Sequence, residues 1–346
     1  MKNPNESTAM LDMFTHPVFR VEGDTVIQTN TYAAACGVKN GDSIASMISH
    51  NREDYAAFAG CLSTGIEIEG VPYIATVFRT EDGDIFHLQT GEETPELRVL
   101  ALAAQQLRAP LSEVMTAAEG LSDKETAGII NKGLYQLLRQ IGNMSAASTY
   151  RQGRLYGMET VNVVSVINEI MQKALLLCNK NEKRLEYKSL TEDIYCPIDR
   201  EMLERALYNL ISNAIKFAPA GSVAFATLTI RNGKLRFSVE SRIDDTSLTQ
   251  SNLFMRYVRE PNVEDGRHGL GLGIPLTQSA AAAHGGTLLM DRPSDDTVRF
   301  TITISTENPK GPIVSTPFPD FDYMGGWDHS LVELSDILPP SAFENI

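Results

Sequence analysis

The chain has 346 residues and a formal net charge of −14, which leaves room for two or three domains and argues against a nucleic-acid or anionic-membrane partner. It has no stretch of about 18 consecutive apolar residues, so no membrane span is predicted, and its polar start lacks a signal core. Its four scattered cysteines show no metal-ligand spacing and indicate free thiols in a reducing compartment. We therefore expect a cytoplasmic protein.

The first segment, residues 1–90, is predicted to fold as a small α+β domain. Short apolar runs flank turns at Gly23 and Gly83, which are hairpin signals. Helical segments are predicted between the hairpins, at 31–36 and 53–63. This order of elements resembles a PAS sensor domain. Any other small α+β domain is the alternative.

Residues 96–152 carry two amphipathic helices joined by a short polar turn. Apolar residues recur every seven positions in the first helix, at Leu100, Leu107, Val114 and Leu121, and in steps of four and three in the second, at Ile130, Leu134, Leu137, Ile141 and Met144. A hairpin this small hides such seams only by packing on something else. A second copy, giving a dimeric four-helix bundle, is the simplest solution. Packing on the chain's own domains is the alternative.

The third segment, residues 153–305, is predicted to be one α/β domain. Its helix at 200–217 carries a polar stripe, Arg205, Asn209, Asn213 and Lys216, in steps of four, four and three. Asparagine is a poor helix former, so two on one stripe suggest a function. An asparagine oxygen suits Mg²⁺, and a lysine one turn on can hold a phosphate oxygen. A solvated helix face is the alternative.

A glycine-rich run with Gly269, Gly271 and Gly273 precedes the next predicted helix. Glycines let backbone amides approach phosphates closely, and the positive end of a helix favours anions. A turn that only packs two helices together is about as compatible with such a run. The asparagine helix and the glycine run together, in this order, are more specific than either alone.

These motifs resemble those of sensor histidine kinases. The stretch 207–219 is similar to the family's asparagine box, 268–274 to its second glycine box, and Leu253-Phe254 with Arg259 to its phenylalanine box. The resemblance covers 96–305. Gyrase and the related chaperone ATPases share the nucleotide fold but lack the preceding helical hairpin.

The resemblance implies an α+β multidomain protein: a PAS-like domain, the dimeric helical hairpin, and an α/β sandwich ATPase domain. It implies ATP and Mg²⁺ as cofactors, bound through Asn209, Asn213, Lys216 and the three glycines, with Asn213 as the metal ligand. It also implies a homodimer, with a response regulator or a partner histidine kinase as its target.

The family's phosphoacceptor motif is degenerate in this chain. Where relatives carry His-Glu-Leu-Arg-Thr-Pro-Leu, residues 105–111 read Gln-Gln-Leu-Arg-Ala-Pro-Leu. Gln105 takes the phosphoacceptor position, and its amide nitrogen is not a nucleophile. Gln106 replaces the carboxylate base, which an amide cannot replace chemically. Ala109 replaces the threonine that helps to position water in the family.

The adenine side of the expected pocket is also altered. Strand alternation after Val239 puts Ser241 where the family has an aspartate that accepts a hydrogen bond from adenine. A neutral hydroxyl accepts more weakly. Arg242 and Ile243 fall where the family has glycines, and Asp244 or Asp245 could supply a carboxylate if the loop is rearranged. We therefore expect ATP and Mg²⁺ binding to be weak or absent.

The last segment, residues 306–346, holds six prolines, seven acids and one lysine, and we expect an extended, partly disordered tail with one short helix within 329–338.

The sequence leaves three hypotheses for the function of the protein. The first is a two-component signalling protein with a degenerate kinase core. The second is a kinase that phosphorylates a histidine of another protein in trans. The third is simple ATP hydrolysis.

Overall fold

The structure is a computed structural model of the whole chain. It describes residues 11–12, 14–48, 50–89, 95–151, 158–180, 184–243, 271–307 and 327–344.

The N-terminal part is a five-stranded antiparallel sheet with three short helices on one face. Its strands run in the order β2-β1-β5-β4-β3. The elements are β1 (Val18–Glu22), β2 (Thr25–Thr29), α1 (Thr31–Ala35), α2 (Ile44–Met47), α3 (Arg52–Ala57), β3 (Cys61–Ile68), β4 (Val71–Thr80) and β5 (Gly83–Gln89). The core includes Phe19, Val26, Phe86 and Leu88.

Both predicted hairpins are confirmed, but the helix predicted over 53–63 is wrong beyond Ala57. Phe58 already has an extended backbone, with φ −70° and ψ 149°, and Gly60 then takes a left-handed φ of 92° before the strand begins. The next residues alternate toward the core through Leu62, Ile66 and Ile68, which is the period of a strand. They form β3.

The helical hairpin consists of α4 (Pro95–Glu119) and α5 (Lys124–Arg151). In α4 the buried residues are Met115 and those that lie four positions after Leu100, Leu107 and Val114, which are Ala104, Leu111 and Ala118. The seam itself faces outward, because Leu107, Val114 and Leu121 are 41–51% exposed. Packing on the chain's own domains is thus confirmed for one face of the hairpin, and an apolar face is left over.

The ATPase-like part has a five-stranded mixed sheet covered on one face by helices. Its strands continue the sheet in the order β11-β12-β10-β9-β7, while β6 and β8 form a separate pair. The elements are β6 (Glu159–Asn162), α6 (Val163–Lys180), β7 (Arg184–Ser189), β8 (Tyr195–Ile198), α7 (Arg200–Lys216), β9 (Val223–Arg231), β10 (Lys234–Arg242), α8 (Gly273–Ala283), β11 (Thr287–Ser294) and β12 (Thr297–Ser305).

The two sheets are joined edge to edge into one sheet of ten strands. Strand β3 pairs antiparallel with β11, and Thr64 is the register partner of Thr287. The buried side chain of Asn51 supports the joint, donating to Thr64 Oγ1 and to the Gly286 carbonyl, each at 3.2 Å. No pattern in the amino-acid sequence predicts this joint.

The end of the chain folds back onto the helices. Residues 327–344, the C-terminal segment, hold α9 (His329–Leu334) and a 3₁₀ turn (Pro340–Phe343). The predicted short helix is confirmed, but the expected extended tail is wrong for this segment. Its apolar residues Val332, Leu334, Leu338 and Phe343 are fully buried. Their burial against α5 and α7 outweighs the acidic, proline-rich composition of the tail as a whole.

Candidate functional site

Helix α7 forms the floor of the candidate site. Asp199 caps its first turn by accepting a 3.0 Å hydrogen bond from the Met202 amide. Burial raises the pKa of Asp199 to about 6. The Asp199 amide in turn donates to His284 Nε2 at 3.0 Å, which anchors the end of α8 to the start of α7.

His284 lies at the C-terminal end of α8, as its sequence position indicates, but it does not act there as a cation. Burial lowers its pKa, and Nε2 accepts a hydrogen bond. The proton is therefore on Nδ1, which donates to the Ala280 carbonyl at 2.7 Å. His284 caps the helix as a neutral donor, and this role is structural.

The predicted polar stripe of α7 is not a solvated face. Arg205 and Asn209 are buried, and Lys216 is largely covered. Asn209 donates to Thr277 Oγ1 of α8 at 3.2 Å and accepts from Arg139 of α5 at 3.4 Å. The stripe is thus covered by α5, α8 and the C-terminal segment.

The glycines differ in what they do. Gly273 begins α8 directly against Asn209, where an added Cβ would collide with the carboxamide. Close packing of two helices therefore explains this glycine by itself. Gly271 has a φ of 67°, which favours glycine for backbone reasons. Gly269, the phenylalanine-box residues and Asp244 and Asp245 lie outside the described residues.

Two acidic residues of the C-terminal segment form ion pairs with the cationic side chains of this site. The Glu333 carboxylate is 3.3 Å from Arg139 and 3.2 Å from Arg205, and all three side chains are at most 4% exposed. Asp336 is 2.7 Å from Arg139 and 3.1 Å from Lys216 Nζ. We refer to Arg139, Arg205 and Lys216 as the cation cluster.

The sequence did not lead us to Arg139 of α5 or to the acids Glu333 and Asp336. A signal for Arg139 was present, because four residues recur every four positions along one face of α5: Asn131, Tyr135, Arg139 and Asn143. All four are buried, and Asn143 accepts from Arg205 at 3.2 Å. No comparable pattern marked Glu333 and Asp336 within an acidic tail.

Ser241 lies where strand alternation put it. Leu235, Phe237, Val239 and Ser241 are the buried residues of β10, so Ser241 is on the helix-covered face of the sheet. Arg242 points the other way and pairs with Asp296 at 3.3 Å. The hydroxyl of Ser241 is the group that this strand offers at the expected adenine position.

Gln105 and Gln106 are exposed on α4, beside the exposed Leu107. Among the described residues, no group of three or more His, Cys, Asp or Glu side chains could hold a metal ion. A Mg²⁺ ion at this site would therefore depend on amide oxygens and on the nucleotide's own phosphates, which fits the partly exposed Asn213. No helix in the described ranges has the length and apolarity of a membrane span.

Comparison with known proteins agrees with this arrangement. Residues 198–308 match the family of histidine kinase-, DNA gyrase B- and HSP90-like ATPases. Similarity to sensor kinases extends over more than half of the chain. Residues 198–308 thus belong to this ATPase family, and the chain is similar to sensor histidine kinases.

Among the similar proteins is the sensor protein KdpD of Clostridium acetobutylicum, 28% identical over 209 residues, which cover 55% of this chain and 22% of that protein. The heme sensor protein HssS of Staphylococcus epidermidis is 23% identical over 209 residues, covering 58% of this chain and 45% of HssS. This chain therefore spans less than half the length of either relative. Full-length ShkA in complex with AMPPNP is 18% identical and covers 61% of this chain and 46% of that chain, with a TM-score of 0.47.

Proposed function

We propose that this family member is a two-component signalling protein that does not phosphorylate itself. The observation that carries the proposal is Gln105 at the phosphoacceptor position, exposed on α4 with Gln106 beside it. A carboxamide offers no nucleophile for the γ-phosphate, and no carboxylate follows it to take a proton. The described helices hold no histidine within the hairpin, because 95–151 contains none.

The output of such a protein is binding rather than phosphoryl transfer from its own hairpin. The exposed stripe of the hairpin, which includes Leu107, Val114, Leu121 and Leu137, supports a homodimer through a four-helix bundle. Leu137 is 53% exposed and Leu107 49% exposed, although both lie mid-helix. A dimer of this kind would present its surface to a response regulator or to a partner histidine kinase.

The N-terminal part is the proposed sensor. Its strand order and the helices on one face support the PAS-like assignment. Because its sheet continues into the ATPase-like sheet through β3 and β11, a change in the first sheet has a covalent and hydrogen-bonded route to the second. We propose that the signal travels this way in a cytoplasmic protein.

Nucleotide binding, where it occurs, would rest on the phosphate side of the site. Asn209, Asn213 and Lys216 would hold the phosphates and their Mg²⁺, with Gly269, Gly271 and Gly273 lining the approach. When bound, ATP would supply a phosphoryl group for transfer. Ser241 would orient adenine through a neutral hydrogen bond, which is weaker than one to a carboxylate. Affinity should accordingly be low.

Retention of these phosphate-side residues favours a second candidate, a kinase acting in trans on a histidine of another protein. Incubation of the full chain with radiolabelled ATP separates the two. The proposal expects no acid-labile label on this chain or on an added response regulator or histidine kinase fragment. Acid-labile label on the added protein alone would favour the trans kinase.

A further inference from the structure

The C-terminal segment occupies the side chains that a nucleotide's phosphates would need. Asp336 forms an ion pair with Lys216, and Glu333 forms one with Arg205. Both ends of the predicted polar stripe of α7 are therefore bound by carboxylates. Between them, the Asn209 oxygen is taken by Arg139, which Glu333 and Asp336 hold in place. Carboxylates and phosphates both offer anionic oxygens that accept hydrogen bonds from arginine and lysine. The two groups therefore compete for the same donors.

We infer that residues 327–344 are a built-in ligand of this site, and that Mg-ATP and the segment bind to it in competition. The inference rests on the proposed nucleotide binding at Asn213 and Lys216. It adds an acidic segment of the same chain as the ligand that holds the site when ATP is absent.

The contacts of the segment show a built site. Its acids reach a cluster of three cations, of which Arg139 and Arg205 are 3–4% exposed. Its apolar residues anchor it on α5: the ring of Phe343 lies 5.1 Å from that of Tyr135, and the Phe343 carbonyl accepts from Asn131 at 3.1 Å. Buried charges on both sides with an apolar anchor are typical of a specific docking interaction.

The charges also explain why a polyanion should take the site when the segment leaves. Without Glu333 and Asp336, the cation cluster would keep three positive charges and lose two carboxylates, while Glu201 would remain 3.5 Å from Arg205. Three buried or half-buried cations without counter-ions are costly, so an anion of several charges restores the balance. A triphosphate meets this requirement.

Competition also links the nucleotide to the geometry of the hairpin. Arg139 and Asn131 belong to α5, whereas Lys216 and Arg205 belong to α7, so the docked segment holds the hairpin against the ATPase-like part. Displacing the segment removes this bridge. The binding of ATP would then be read out as a release of the hairpin rather than as a phosphorylation.

Trp327 is a direct reporter of docking, because it is the single tryptophan of the chain and its ring lies 5.8 Å from that of Tyr135. In the intact chain its emission should be that of a partly buried indole. Titration with Mg-ATP should shift the emission to the red and make it more accessible to acrylamide. The variant Glu333→Gln/Asp336→Asn should show the released emission without nucleotide.

The same variant should bind Mg-ATP more tightly in calorimetry. A docked segment reduces apparent affinity by the fraction of molecules whose site is free, so release should lower the Kd at least about tenfold. Adding Asn213→Ala to the released variant should remove the binding. The control is Glu186→Gln on the exposed surface of β7, which should match the wild type in both emission and affinity.

Two results would overturn the inference. One is a Trp327 emission that stays buried at saturating Mg-ATP, with equal affinities in wild type and released variant. The other is a released variant that binds no Mg-ATP at all. Neither result touches the autokinase proposal, which fails if the wild-type chain itself acquires acid-labile label. That label could appear even if the segment and ATP compete as inferred.

Discussion

Thr64 of β3 and Thr287 of β11 are register partners across the joint between the N-terminal sheet and the ATPase-like sheet. Each strand would otherwise be the open edge of its own sheet, and open edges invite pairing with other chains. The joint covers both edges at once. It links the N-terminal sheet and the ATPase-like sheet through a ladder of backbone pairs into one sheet of ten strands.

Asn51 should be the residue on which this joint depends most. Its side chain donates to Thr64 and to Gly286 and accepts from Lys234 Nζ at 2.6 Å, all in a buried position. Asn51→Leu leaves these partners unsatisfied, and we expect it to lower the free energy of unfolding by about 2–3 kcal/mol in urea denaturation.

The matched control is Asn232→Gly, which removes a surface hydrogen bond to Glu53 across the same joint and keeps a φ of 52° that glycine accepts. Its effect should stay within about 0.5 kcal/mol. Equal losses in the two variants would mean that the buried joint adds no more than a surface contact.

The exposed stripe of the hairpin should make the protein a dimer. Leu107→Glu/Leu137→Glu places charges in the bundle seam, and light scattering should then give the mass of a monomer, whereas the wild type gives twice that mass. Both side chains are about half exposed within one chain, so the variant should keep its fold. The control is Leu176→Glu on α6, where a leucine is 69% exposed away from the hairpin. A monomeric wild type at micromolar concentration would contradict the four-helix bundle.

His87 should make stability depend on pH. Burial, followed by the neighbouring imidazole of His16, lowers the pKa of His87 from 6.5 to about 4. Both of its ring nitrogens are buried without a hydrogen-bond partner in the described structure. Because the folded-state pKa lies below the unfolded one, the unfolded chain binds the proton first, and stability falls as the pH drops from 6.5 toward 4.

Between pH 7 and pH 5 this residue should account for a loss of about 2 kcal/mol in the free energy of unfolding. His87→Leu should remove that part of the pH dependence in urea unfolding at the two pH values. His50→Leu, which replaces a histidine at an exposed position, is the matched control. The lowered pKa of the buried His284 also makes stability fall as the pH drops, whereas the raised pKa of Asp199 has the opposite effect. The pH dependence of each variant is therefore compared with that of the wild type. An unchanged pH dependence in His87→Leu would contradict a buried neutral imidazole.

The sequence was a good guide wherever period and motif decide local structure. Helix α7 lies where it is predicted, Ser241 faces the predicted side of β10, and hairpin turns lie at Gly23 and Gly83. These features depend on residues close together in the chain. The family resemblance placed α7 and Ser241 in the ATPase-like part without reference to any contact.

The relations missed by the sequence are long-range ones. The pairing of β3 with β11 depends on which edges are free after both sheets form, which no local pattern records. The docking of Glu333 and Asp336 depends on three cations from two helices that are far apart in sequence. The acidic composition of residues 306–346 favoured a solvated tail. The burial of apolar residues within the C-terminal segment outweighs that tendency.

Restoration of the phosphoacceptor motif tests the central claim, that Gln105 makes the chain unable to phosphorylate itself. The variants Gln105→His and Gln105→His/Gln106→Glu/Ser241→Asp should be incubated with radiolabelled ATP and checked for acid-labile label. The triple variant should exceed the single one by at least about a hundredfold, because a general base is typically worth that much or more. Gln106→Glu/Ser241→Asp, which lacks the histidine, should stay unlabelled like the wild type. Acid-labile label on the wild-type chain, or equal label with and without His at position 105, would contradict the account.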